Sequence, residues 1–172
     1  HDALPISMRD SVQRSAQGSA ARPVRVMFVC HGNICRSPMA EFLLKDMVEK
    51  RGIADHFAIE SAATTSEELG NPVYPGTRKR LAEEGISVEG KTAKRLRSAD
   101  YDDFDLFIGM DSENMRDMGR IFGSDPDGKV YKMLEFAGVE RDVADPWYTG
   151  DFDATYDDIH AGCIGLLSWL GY

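Results

Sequence analysis

The chain has 172 residues, 42% of them apolar and 28% charged, with a formal net charge of −9 at neutral pH. A chain of this length removes roughly two-thirds of its unfolded surface from water, so one globular domain with its own core is expected, and collagen-like, disordered and disulfide-scaffold compositions are excluded. Residues 1–99 carry 15 Lys and Arg against 12 Asp and Glu, and residues 100–172 carry 5 against 17, a balance that disfavours nucleic acid and anionic membranes as partners but not a small anion held at a local site.

Residues 1–23 mix Ser, Gln, Arg and Ala without apolar periodicity and are read as an N-terminal extension, disordered or a cloning or gene-boundary remnant. Residues 24–29 are a run of β-branched, apolar and aromatic side chains and read as a buried strand. Ser37-Pro38, followed by Met39, Phe42, Leu43 and Met47, reads as a helix with Ser37 as its cap and Pro38 in its first position. A second strand is expected over 57–61 and a second helix over 77–84, closed by Gly85. Residues 106–108 form a third strand, and a helix over 111–121 is capped by Asp111 or Ser112. The turn over 123–128 then leads into a short fourth strand at 130–134. The last helix is the clearest, with Tyr156, Ile159, Cys163, Leu166, Leu167 and Leu170 recurring on one face. The basic runs 78–80 and 94–97 and the acidic runs 100–105 and 151–158 read as solvated faces and caps. Alternating strands and helices predict an α/β, three-layer fold with a parallel sheet covered on both faces.

In such a sheet ligands collect beyond the carboxyl ends of the strands, where successive crossovers diverge. The loop Cys30-His31-Gly32-Asn33-Ile34-Cys35-Arg36-Ser37 falls there. A Gly-containing loop entering a helix turns backbone N–H groups inward, and the helix dipole adds about half a positive charge behind them. Gly32 permits close approach or positive φ, and Asn33 tolerates a left-handed conformation. Cys30 closes the strand at the mouth of this anion cradle, where the field that attracts phosphate also stabilises a thiolate. Arg36 supplies a planar fork matched to two phosphate oxygens. Together these groups describe phosphoryl transfer through a phosphocysteine, with no metal or cofactor required. No Cys/His cluster has zinc spacing, and no calcium-loop, Walker or dinucleotide-binding pattern is present in the sequence.

The segment from Val29 to Pro38 resembles the Cys-x5-Arg-Ser signature of the low-molecular-weight protein tyrosine phosphatases. Asp145-Pro146-Trp147-Tyr148 resembles that family's Asp-Pro-aromatic-Tyr loop, and Ser61-Ala62-Ala63-Thr64 and Met110-Asp111 are weaker echoes. The resemblance implies a single phosphatase domain over 24–172 with a four-stranded parallel, flavodoxin-like sheet. It implies Cys30 as nucleophile, Arg36 as phosphoryl binder and Asp145 as general acid and then base. His31, Gly32, Asn33, Ile34, Cys35 and Ser37 would complete the phosphate loop, with Ser37 donating to the thiolate. Cys35 would act either as a reversible disulfide partner of Cys30 or as a small apolar filler. Trp147 and Tyr148 would form one wall of a slot for the phenyl ring. Glu67 stands on the opposite wall, where many relatives carry an aromatic, a departure that bears on substrate preference.

The expected substrate is a phosphotyrosine-containing protein or an aryl phosphate, with inorganic phosphate or sulfate able to occupy the site. Two same-fold alternatives are arsenate reductase, disfavoured because no downstream cysteine pair lies between 36 and 162, and protein arginine phosphatase, disfavoured by Ile34 where those enzymes tend to carry Thr. A non-catalytic phosphate-binding module would need to have lost Cys30, Arg36 or Asp145. The odd count of Cys30, Cys35 and Cys163 suits free thiols in a reducing compartment, no apolar run reaches the roughly 18 residues of a membrane span, and a cytoplasmic location is expected.

Overall fold

The computed structural model describes residues 22–172. The first 21 residues, and with them most of the expected extension, lie outside the described part. β1 (Val24–Cys30) leads through the loop into α1 (Arg36–Lys50). A 3-10 turn (Ala54–His56) precedes β2 (Phe57–Ala63), followed by α2 (Pro75–Glu83), α3 (Asp100–Asp103) and β3 (Leu106–Gly109). The chain continues with α4 (Ser112–Phe122), β4 (Val130–Lys132), a 3-10 segment (Met133–Ala137), α5 (Pro146–Thr149) and α6 (Phe152–Trp169).

The four strands are all parallel in the order β2-β1-β3-β4, as the alternating pattern predicts. β1 lies between β2 and β3, so the chain leaves its carboxyl end first toward one side of the sheet and later toward the other. That divergence opens the crevice in which the 30–37 loop lies. Alternation along β1 assigns the two cores: Val26, Phe28 and Cys30 pack on the α1/α6 side, whereas Met27 and Val29 join Phe104, Phe107 and Met118 on the other. α6 buries Thr155, Ile159, Gly162, Cys163, Leu166 and Leu167, close to the stripe read from sequence. It approaches the Met133–Ala137 segment so closely that a Cβ on Gly165 would stand 1.9 Å from the Phe136 carbonyl oxygen.

Several local expectations are corrected. α2 begins at Pro75, two residues before the expected start, because proline is preorganised for a first helical position where its missing N–H has no partner to lose. The fourth strand stops at Lys132 and the chain tightens into 3-10 geometry over Met133 and Leu134. Asp100 is not a solvated residue: it is 6% exposed and accepts from the Arg97 backbone N–H at 2.8 Å and its guanidinium at 3.1 Å, opening α3. Arg80 is not solvated either. Its guanidinium lies 3.9 Å over the Tyr156 ring and pairs with Asp153 and Glu84.

Candidate active site

The loop that follows β1 owes its shape to Asn33. It is the one non-glycine residue with positive φ among the described residues, at 58°. Its side chain donates to Ser37 Oγ at 2.8 Å and to Ser61 Oγ at 2.9 Å, and its Oδ1 accepts from the Lys94 N–H at 3.1 Å. Its own backbone N–H points back at Cys30 Sγ, 3.3 Å away. Gly32 does not use positive φ; its role is proximity, since a Cβ there would meet Glu68 Cγ at 3.3 Å.

Ser37 is not the cap of α1. Cys35 occupies that position, with no side-chain cap bond, and Ser37 lies inside the helix. Its hydroxyl is 2.9 Å from Cys30 Sγ while accepting from Asn33, which leaves the hydroxyl hydrogen free for the sulfur. Two donors thus converge on one sulfur at the amino end of a helix.

Behind this shell lies a buried relay the sequence did not reveal. Ser61 Oγ donates to Glu41 at 2.5 Å, and Glu41, 4% exposed, pairs with Lys91 at 3.1 Å and Lys45 at 2.6 Å. Lys91 also donates to the Ser61 carbonyl at 2.9 Å. Burial lowers the pKa of Lys91 below its ordinary value, an effect that Glu41 opposes. The available signal was Glu41 itself, a carboxylate among the apolar residues of α1; its partner fifty residues on has no local signature.

Arg36 is 3% exposed and is fixed by Asp111 at 2.8 Å, the Val143 carbonyl at 2.8 Å and Asp145 at 3.5 Å. Burial works against its charge, but Cys30, Asp111 and Asp145 outweigh it and hold its pKa above the ordinary value. Asp111 also caps α4 by accepting from the Asn114 N–H at 2.8 Å, so one carboxylate ties the guanidinium to a helix end. Asp145 caps α5, accepting from Trp147 N–H at 3.1 Å.

Cys30, Arg36 and Asp145 line one cavity of about 170 Å³ with His31, Gly32, Ile34, Cys35, Glu67, Glu68, Trp147 and Tyr148. Trp147 and Tyr148 are exposed at its rim, and Trp147 is propped edge-on by Tyr74 at 5.1 Å, a support the sequence did not single out. His31 binds Glu67 at 2.9 Å across the mouth. Cys35 is 5% exposed, and burial, with the charges of Cys30 and Asp145, pushes its thiol up to about 12. Cys163 is fully buried in the core, and burial raises its thiol pKa as well.

A parallel α/β sheet carrying a cysteine, an arginine and an aspartate around one anion-sized cavity defines a cysteine-dependent phosphatase. Residues 25–171 match the family model described as low molecular weight phosphotyrosine protein phosphatase, and the chain belongs to that family. It is 38% identical over 147 residues to the low molecular weight protein-tyrosine-phosphatase YfkJ of Bacillus subtilis, covering 84% of this chain and 94% of the relative. The crystal structure of YfkJ superposes with a TM-score of 0.81 over 88% of this chain and 95% of that one. A low molecular weight protein tyrosine phosphatase from Streptococcus pyogenes gives 0.76 at 42% identity, covering 84% and 91%. A Drosophila arginine phosphatase gives 0.77 at 28% identity, covering 86% and 97%. No helix among the described residues is long and apolar enough to cross a membrane.

Proposed function

We propose that the protein hydrolyses phosphotyrosine in proteins, and small aryl phosphates, through a phosphocysteine. The observation that carries this is the convergence of the Asn33 N–H and the Ser37 hydroxyl on Cys30 Sγ, in a cavity shared with Arg36 and Asp145. Cys30 attacks phosphorus, and the P–O bond to the tyrosyl oxygen breaks as Asp145 delivers a proton to that oxygen. Arg36 and the loop amides hold the equatorial oxygens throughout. Water then gives its proton to Asp145 and attacks phosphorus, releasing inorganic phosphate and restoring the thiolate. Fixing Arg36 from behind by Asp111 and the Val143 carbonyl supports this reading, because a preorganised fork loses little freedom when the phosphoryl group arrives.

Ile34, an apolar residue on the cavity wall, supports the aryl substrate over phosphoarginine. The exposed carboxylate of Glu67 disfavours acidic residues flanking the phosphotyrosine and favours basic ones. Inorganic phosphate or sulfate would occupy the cradle as competing anions. Cys35 lines the same cavity as Cys30 and is placed to resolve a sulfenic acid on Cys30 by condensation to a disulfide with loss of water, while burial, which raises its pKa, keeps little of it as the reactive thiolate. The phosphatase domain is assigned to 24–172, with residues 1–23 an appendage to it, and a cytoplasmic, reducing setting suits its three free thiols.

The deciding measurement is hydrolysis of p-nitrophenyl phosphate in the presence of a chelator. Activity is expected to persist in the wild type and vanish in Cys30→Ser, and undiminished turnover in that variant rejects the mechanism. Asp145→Asn is expected to retain substrate binding and lose about 10²- to 10⁴-fold in kcat. A panel of phosphotyrosine peptide, phosphoarginine and arsenate then separates the enzyme classes of this fold.

A further inference from the structure

His31 follows the nucleophile directly, and its ring, at the cavity mouth, brings Nδ1 to 3.7 Å from Glu113 Oε1 of α4. One of its ring nitrogens and one carboxylate oxygen each from Glu113 and Asp117 lie within 4.8 Å of one another. Glu113 and Asp117 are four apart on α4 and therefore share a face of that helix. Asp117, with a side chain 15% exposed, is held from behind by Thr64 Oγ1 at 3.3 Å and by Arg120. Three residues from two distant stretches of chain thus present N, O and O donors to one point.

The two nitrogens of His31 are not equivalent. Nε2 lies 2.9 Å from Glu67 Oε2, so that nitrogen donates to the carboxylate, and in the neutral ring the lone pair is then on Nδ1. Nδ1 is 3.7 Å from Glu113 Oε1, beyond hydrogen-bond reach, so no proton is shared on that side. A carboxylate orienting one imidazole nitrogen while the other faces oxygen donors is the arrangement that surrounds metal-bound histidines. Ligands about 2.0–2.2 Å from a tetrahedral zinc stand roughly 3.3–3.6 Å apart; His31 Nδ1 and Glu113 Oε1 are near that spacing at 3.7 Å, and Asp117, whose donor lies within 4.8 Å of the others, closes in and turns from Arg120 as the ion binds. The formal charges agree: the carboxylates of Glu67, Glu113 and Asp117 outnumber the exposed guanidinium of Arg120 beside them.

We propose that His31, Glu113 and Asp117 form a binding site for a first-row divalent cation, zinc in preference to magnesium because one donor is an imidazole. Glu67 orients His31 from outside the site. The ion takes no part in the reaction. It rests beside the cavity mouth and neutralises carboxylates that would otherwise repel an incoming phosphate dianion.

The test uses the full chain as Cys30→Ser, which removes the thiolate that would itself take zinc, so the readout does not depend on phosphatase activity. Zinc chloride is titrated calorimetrically, with magnesium chloride as comparison and circular dichroism confirming that every variant is folded. One saturable zinc site is expected, with magnesium much weaker. Adding Glu113→Gln and Asp117→Asn together should weaken zinc binding at least tenfold, and Glu67→Gln alone about tenfold or more. Equal zinc affinity with and without the Glu113→Gln and Asp117→Asn pair overturns the proposal, as does the lack of any binding up to millimolar zinc.

Discussion

Asn33 holds a left-handed backbone that costs an ordinary L-residue roughly 1–2 kcal/mol, and its buried amide meets that cost with bonds to Ser37, Ser61 and the Lys94 N–H. Asn33→Ala loses both the tolerance and the bonds, and leaves the buried Ser37 and Ser61 hydroxyls without the donor they accept from. A loss of about 2–4 kcal/mol in unfolding free energy is expected, with kcat falling together with Tm; denaturant melts and steady-state kinetics check it. Arg36→Lys keeps the charge but discards the planar fork held by Asp111 and the Val143 carbonyl. Its kcat/KM should fall by about 10² or more, because a point charge on a flexible stem cannot hold two oxygens in fixed orientation. Wild-type kcat/KM in that variant would contradict the binding role given to Arg36.

At the scale of elements, the strand pattern was legible because it reports burial directly: β1 is apolar on both sides since α1 and α6 cover one face and α4 the other. The ends of elements were less legible, and for physical reasons. Ser37-Pro38 looks like a helix start from local preference alone, yet Ser37 is drawn to Cys30, an interaction outside any local rule. The acidic stretch before β3 hides a one-turn helix because a buried Asp100 is recognisable only from Arg97 folding back on it. The contact of α6 with the Met133–Ala137 segment makes a sharp prediction. Gly165→Ala places a methyl group against backbone, so the helix must lift away, costing about 1–3 kcal/mol or more. A Tm equal to wild type would show that the two elements slide apart freely. Lys91→Met removes one of the two cations serving buried Glu41 and is expected to destabilise by about 3 kcal/mol; Lys91→Arg, measured alongside, should recover part of that loss.

For the whole molecule, stability should decline on the alkaline side. Cys35 is raised from 9.0 to about 12 in the folded chain, chiefly by burial, and burial also raises Cys163, Tyr101, Tyr156 and Tyr172. A raised group holds its proton when folded and releases it when unfolded. Its contribution is therefore complete below the unfolded value and is lost as pH rises from there toward the folded value. For Cys35 that window opens near 9.0 and runs to about 12. Lys91, whose pKa is lowered, works in the opposite direction as it sheds its proton. Thermal melts between pH 7 and 10.5 should show a falling Tm, and Cys35→Ala should flatten the fall; an identical slope in that variant would assign the effect elsewhere.

The sequence by itself determined the order of the four strands and the longer helices, the 30–37 loop as the candidate site, and the family, because periodicity and a contiguous signature are local properties that survive without coordinates. Only the tertiary structure decided what stands behind and around that loop. The Glu41–Lys91 pair, the Asp111 and Val143 grip on Arg36, and the meeting of His31 with Glu67 and Glu113 join residues dozens of positions apart. Such contacts depend on which strand ends the sheet brings together, and no spacing along the chain encodes them.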